Sequence, residues 1–152
     1  MKWRWVPFAE LSAKELYDLL QLREEAFHIE QTSAYCDMDG LDVQARHLLG
    51  FHQDQLICYL RVALQNEELI ISRVVVRKAF RHQGLGKVML KNTLKTLHDN
   101  YPGYPVALAA QVSQEAFYVG LVAFILSHCI ASYLKLSTFL IFSEGTPART
   151  AA

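Results

Sequence analysis

The stretch that most restricts the fold is Ile70-Ile71-Ser72-Arg73-Val74-Val75-Val76-Arg77, followed closely by Arg81-His82-Gln83-Gly84-Leu85-Gly86-Lys87. Beyond the second glycine, Leu90, Leu94 and Leu97 recur on one helical stripe and Lys87, Lys91 and Lys95 on another. The pattern predicts a strand, a basic glycine turn and an amphipathic helix. A helix start leaves its first N–H groups unpaired and carries partial positive charge, and glycines let an anion approach the main chain without a Cβ in the way. Arg81, His82 and Lys87 add charge or donors at the same point. Two readings follow: a loop that binds a pyrophosphate, or a basic turn that only caps a helix.

Single residues exclude two nucleotide motifs. A dinucleotide fingerprint needs a third glycine where Met89 stands, and no acidic residue follows at the usual distance on a second strand. A nucleoside triphosphatase phosphate loop needs glycine at Arg81 and Ser or Thr at Val88. What remains is R-x-x-G-x-G between a Val-rich strand and an amphipathic helix. It resembles the coenzyme A pyrophosphate loop of the GNAT N-acetyltransferase superfamily.

Charge and cysteine content narrow the class further. Fifteen basic and fifteen acidic side chains cancel, which argues against nucleic-acid binding, since that affinity rests on excess Lys and Arg. The 152 residues fit one domain. Cys36, Cys58 and Cys129 are scattered, with no C-x-x-C pair and no His at ligand spacing, so no metal site is expected and the thiols read as reduced and cytoplasmic. No apolar signal-peptide core follows Met1-Lys2-Trp3-Arg4-Trp5.

From the start of the chain, residues 3–8 alternate apolar with polar and predict a first strand. A helix start is then written in full: Ser12 as cap, Glu15 completing the capping box, and Leu11 against Leu16 as the hydrophobic staple. Leu16, Leu19, Leu20, Arg23, Ala26 and Phe27 follow at helical spacing, and the apolar ones are expected in the core. Residues 30–42 form a loop with four carboxylates, Glu30, Asp37, Asp39 and Asp42. Such a cluster either attracts a cationic amine and holds a general base, or is solvated surface; the second reading is the commoner. Apolar runs at 47–51 and 56–64 flank the polar turn His52-Gln53-Asp54-Gln55, and Gln65-Asn66-Glu67-Glu68 makes a second turn, which predicts a three-strand antiparallel meander. After the glycine turn and its helix, a breaker segment at 98–105 precedes a buried strand at 106–111, parallel to the strand before the turn. Another helix is expected from Ser113.

The match is closer than a superfamily. Leu16-Tyr17, Leu19-Leu20, Leu22-Arg23, Phe27, Glu30-Gln31, Tyr35, Asp39-Gly40, Asp42, His47-Leu48 and Gly50, with Ser72-Arg73-Val74-Val75 and Ala110-Gln111, resemble the ElaA-like GNAT proteins over roughly the first 118 residues. The resemblance implies an α/β fold: a mixed, strongly twisted sheet with helices on both faces. It implies acetyl-CoA as cosubstrate and a primary amine, on a small molecule or a protein lysine, as acceptor. The main chain of Val74, Val75 and Val76 would pair with the pantetheine arm, and Arg81, His82, Gln83, Gly84, Leu85, Gly86 and Lys87 would hold the pyrophosphate, with Gln111 also on the cofactor side. Tyr118 would lie near the sulfur as general acid. The base stays open among Glu30, Asp39, His47 and an ordered water.

After Tyr118 the resemblance stops. Residues 119–142 carry one charge, Lys135, where the family has Gly-Phe, Pro-Val and Ile-Pro-His segments. A membrane anchor is weighed against five hydroxyl-bearing residues, His128 and Lys135, and fits poorly. Codons exist for residues 122–142 whose reading two nucleotides later restores Gly-Phe-Tyr-Pro-Val and Asp-Ile-Pro-His, so this tail looks like a frameshifted reading. The expectation is a core at 1–118 of one domain, with atypical C-terminal strands at 119–152 that pack, stay exposed or meet a second copy in a homodimer. The alternative function is an acyl-CoA-binding or interaction protein with impaired catalysis.

Overall fold

The computed structural model describes residues 1–31, 36–111 and 140–143. The first strand, β1 (Lys2–Pro7), stops at a proline that has no N–H for a further ladder bond, and a 3-10 turn follows at Phe8–Glu10. Helix α1 (Ala13–Glu24) opens on the expected capping box: the Glu15 N–H donates to Ser12 Oγ at 3.2 Å, and the Ser12 N–H donates to Glu15 Oε2 at 2.9 Å. At its far end the helix loosens into a π-helical turn, Glu25–Glu30.

The meander is β2 (Arg46–His52), β3 (Gln55–Gln65) and β4 (Glu68–Val76), all antiparallel. Both connecting turns have two central residues in the left-handed region, Gln53 and Asp54 (φ 48° and 61°) and Asn66 and Glu67 (φ 48° and 64°). That handedness matches the twist of the strands they join. Helix α2 (Leu85–Asn100) leads to β5 (Val106–Gln111), which runs parallel to β4 as expected. A short β6 (Leu140–Ser143) lies parallel to Leu108–Gln111 and completes a sheet in the order β1-β2-β3-β4-β5-β6. The helix expected from Ser113, Tyr118 and the tail residues 119–139 and 144–152 lie outside the described residues.

Each face of the sheet buries its own core, as strand alternation requires. Met89, Leu90, Leu94 and Leu97 of α2 pack with Leu48, Leu60, Ile71 and Leu108 on one face. Leu19 and Leu22 of α1, with Ala26 and Phe27 of the π turn, pack with Val6, Leu49, Tyr59 and Val75 on the other. Leu11, Leu16 and Leu20 lie partly buried at the edge of that second core. The Lys87, Lys91 and Lys95 stripe faces solvent.

Candidate functional site

The site begins where β4 leaves β5. The two strands pair only through Leu69–Val106, Ile70–Ala107 and Ile71–Leu108, while β4 runs on to Val76 with β3 as its one partner among the described residues. The parting coincides with a bulge. Tyr59 pairs with Val75 and Arg61 with Ser72, so Leu60 of β3 faces both Arg73 and Val74, and Arg73 takes φ 55°. Side chains of the following residues are committed to packing: Val75 is 3% exposed in the α1 core, and Val74 and Val76 lie against the α2 core. Their main chain is the part of residues 74–76 that a ligand can pair with, as at any open strand edge.

From Val76 the chain passes through Arg77 and a 3-10 turn, Lys78–Phe80, into the glycine loop. His82 (φ 63°) and Gly84 (φ 77°) are both left-handed, with Gln83 between them, and all three are exposed. Gly84 is the N-cap of α2, and no side chain caps the helix there. A Cβ on Gly84 would meet nothing within 4 Å. The Val88 N–H closes the first turn on the Gly84 carbonyl at 3.1 Å, so the N–H groups of Leu85 and Gly86 precede the helix's own hydrogen-bond ladder. Left-handed turns that bring successive N–H groups to one side, followed by a helix N-terminus, make an anion-binding concavity.

Arg81 is built into the frame of this loop. Its Nε donates to the Val76 carbonyl at 2.8 Å, and its two terminal nitrogens donate to the two oxygens of Glu30 at 2.6 and 3.1 Å. Glu30 therefore stands at the end of the π turn in a bidentate pair with the loop arginine.

Behind the bulge, the carboxylates of Asp37, Asp39 and Asp42 are held on arginines of the sheet and the helix layer. Arg23 of α1, fully buried, donates to Asp37 and Asp42 at 2.7 Å each. Arg61 of β3 donates to both oxygens of Asp39 at 2.7 Å and to Asp42 at 3.0 Å. Arg73 of the bulge donates to Asp37 at 2.6 Å and Asp39 at 3.1 Å. Three guanidiniums and three carboxylates thus balance in a half-dry site, which is the condition under which buried charge is tolerated. The signal was present in the sequence: Arg23 sits on the apolar stripe of its helix and Arg61 inside an apolar run, and arginines at core positions demand carboxylates.

This packing removes two of the base candidates. Burial alone would raise the Asp39 carboxyl, but the hydrogen bonds and charge of Arg61 outweigh it and hold the group at about 2. A carboxylate so acidic takes a proton from an amine poorly. His47 is completely buried, with Nδ1 on the Tyr59 hydroxyl at 2.8 Å and Nε2 on the Asp42 carbonyl at 3.0 Å, and burial lowers its pKa. Among the remaining expected residues, Val74, Val75, Val76, Arg81, His82, Gln83, Gly84, Leu85, Gly86 and Lys87 form one continuous ribbon from the open strand into α2. Gln111 ends β5 opposite Ser143.

Comparison with known proteins agrees with this architecture. The acetyltransferase (GNAT) domain family matches residues 11–121. ElaA of Escherichia coli K12 is 37% identical over 123 residues, which span 78% of this chain and 80% of that protein. The crystal structure of E. coli ElaA aligns with a TM-score of 0.73 over 78% of this chain and 84% of that one. An acyl-CoA N-acyltransferase from Pseudomonas aeruginosa is 36% identical and aligns at 0.72 over 79% of this chain and 84% of its own. The PaiA N-acetyltransferase of Thermoplasma acidophilum, solved in complex with coenzyme A, is 14% identical and aligns at 0.58 over 79% and 88%, a likeness of fold alone.

Proposed function

The chain belongs to the GNAT acetyltransferase family, and from that premise we propose that it transfers an acetyl group from acetyl-CoA to a primary amine of a small molecule or a protein lysine. The observation that carries the reading is the continuity of the open β4 edge at residues 74–76 with the uncapped, left-handed start of α2 at Gly84. An extended amide-bearing arm suits the first element and a pyrophosphate the second. The two follow one another in the order that coenzyme A presents them.

Acetyl-CoA supplies a thioester: the amine nitrogen bonds to its carbonyl carbon, the carbon–sulfur bond breaks, and the sulfur leaves as a thiolate that takes up a proton. The residues around it do the rest. Main-chain donors at 74–76 face the developing negative charge, a role in which one aimed N–H is worth about 3 kcal/mol or more. N–H groups of Gly84, Leu85, Gly86 and Lys87 bind the phosphates, and Arg81 holds the loop in shape. Tyr118 is the proposed proton donor to sulfur. An amine with an ordinary pKa of about 10.4 must first lose a proton, and Glu30 or an ordered water receives it.

Calorimetric titration of the chain with acetyl-CoA tests the reading. Wild type is expected to bind with a Kd on the order of micromolar, and Gly84→Glu to abolish binding by placing bulk and negative charge in the anion site. Gly84→Asn, which tolerates the left-handed φ, should bind within about tenfold of wild type. Wild type that does not bind, or Gly84→Glu that binds equally well, refutes the cofactor reading. Binding without acetyl transfer to any member of an amine panel would leave an acyl-CoA-binding protein in place of the enzyme.

A further inference from the structure

Among the described residues, the non-glycine positions with positive φ fall in the two hairpin turns, at His82 in the glycine loop, and at Arg73. Arg73 is the one that lies inside a strand. A left-handed residue with a Cβ is sterically unfavourable and persists only where its surroundings hold it. Its place matters: Ile71 is the last residue of β4 paired with β5, so the bulge sits where the two strands part.

The hold comes largely from Asp37. Arg73 Nε donates to Asp37 Oδ1 at 2.6 Å and Arg73 Nη2 to the Asp37 carbonyl at 2.9 Å. From the other side, Arg23 Nε donates to Asp37 Oδ2 at 2.7 Å and Arg23 Nη2 to the same carbonyl at 2.9 Å. Arg23 is fully buried on α1, and Asp37 is 7% exposed. Phe27 of the π turn adds its ring face, with the Arg73 guanidinium carbon 6.0 Å from its centroid. Arg73 Nη2 also donates to Asp39 Oδ2 at 3.1 Å, but it is Asp37, shared with Arg23, that ties the strained residue to the helix layer.

We propose that Asp37 is a positioning residue: by gripping Arg73 it holds the left-handed bulge that parts β4 from β5, and so sets the direction of the main-chain donors at residues 74–76. Its functional consequence rests on the acetyl-CoA reading, while its geometric consequence does not. Glycine adopts a positive φ freely, so the clasp should matter only while residue 73 carries a side chain.

The test uses the full chain with Asp37→Asn, Arg73→Ala, Arg73→Gly and the double variant Asp37→Asn/Arg73→Gly. Two quantities are read: amide hydrogen exchange at residues 72–76 without ligand, and the Kd for acetyl-CoA. Arg73→Ala should exchange faster there and bind about tenfold more weakly, with Asp37→Asn shifted the same way by less. Arg73→Gly loses the same contacts yet should stay near wild type in both, and Asp37→Asn should have no further effect in that background. A role in stability alone would make the Gly and Ala variants alike. The proposal is overturned if Arg73→Gly binds and exchanges like Arg73→Ala, or if Asp37→Asn is equally damaging in both backgrounds. Should wild type fail to bind acetyl-CoA, the cofactor reading falls and the exchange data alone decide the clasp, by the same ordering.

Discussion

The Arg–Asp cluster makes a prediction about acid that can be worked from one residue. Asp39 is held at about 2, against an ordinary 3.8: burial would raise it, and Arg61 with, more weakly, the Leu41 N–H and Arg73 overcomes that cost. A group whose folded value lies below its unfolded one stabilises the fold fully above the unfolded value, and that stability drains away as the pH falls through the folded value. At 1.36 kcal/mol per unit the shift corresponds to about 2 kcal/mol at neutral pH. The side chain is 16% open to solvent, so screening leaves about 1–2 kcal/mol. Integrating the two titrations, about half of it is gone at pH 3. Urea unfolding of wild type and Asp39→Asn between pH 6 and pH 3 reads this directly: the variant should be less stable at pH 6 by at least that amount, and the gap should narrow by about half of that amount at pH 3. Asp42 is also lowered, against its burial, by Arg23 and Arg61, so both proteins lose stability in acid and only their difference isolates Asp39. Two curves that stay parallel over this range would refute the reasoning.

Two further perturbations follow from geometry. A Cβ on Gly50 would stand 2.5 Å from Trp3 Cζ3 and 2.8 Å from Cys58 Cβ, so Gly50→Ala should cost about 1–3 kcal/mol by overpacking. Tryptophan-detected unfolding checks it, and a midpoint equal to wild type would show that the β1–β2 contact gives way freely. Glu30→Gln separates two roles for that carboxylate: as a proton acceptor its loss lowers kcat and leaves acetyl-CoA affinity unchanged, whereas as the partner of Arg81 its loss weakens binding by a fewfold and spares kcat. The bidentate geometry predicts the second pattern.

Local signals were legible because they act over a few residues. Ser12 and Glu15 specify their helix start by reciprocal hydrogen bonds, and the polar pairs Gln53-Asp54 and Asn66-Glu67 specify turns between apolar runs, so the meander could be read directly. Leu90, Leu94 and Leu97 likewise declare the buried side of α2. The acidic loop could not be read the same way. Asp37, Asp39 and Asp42 look solvated in isolation, and become buried or half-buried only through arginines 14 to 36 residues away. The parting of β4 from β5 was hidden for a related reason: Val74-Val75-Val76 has the pattern of any buried strand, and the departure depends on the backbone at Arg73, which no side-chain periodicity encodes. The slip from α to π hydrogen bonding at Glu25–Glu30 is equally silent, since its apolar residues Ala26 and Phe27 suit either spacing.

That slip explains how one helix end serves the whole ribbon. Arg73, Arg77 and Arg81 stand four residues apart along the path from the bulge to the glycine loop, and each is met by a carboxylate from the α1 side of the sheet. Arg73 meets Asp37, Arg77 meets Glu25 at 2.8 Å, and Arg81 meets Glu30. Arg77 and Arg81 are also pinned to nearby main chain: Arg77 Nε donates to the Leu56 carbonyl at 3.2 Å and Arg81 Nε to that of Val76. Glu25 and Glu30 are five residues apart, and on an α-helix they would diverge by about 140° around the axis. In a π turn, whose hydrogen bonds join residues five apart, they come onto one side of the helix. The π turn therefore lets both carboxylates face the ribbon at once. The Arg77–Glu25 and Arg81–Glu30 pairs are partly exposed and add little stability individually, so their shared orientation bears on geometry more than on folding energy: the main chain of the open strand and the glycine loop is tied to the helix layer that faces it.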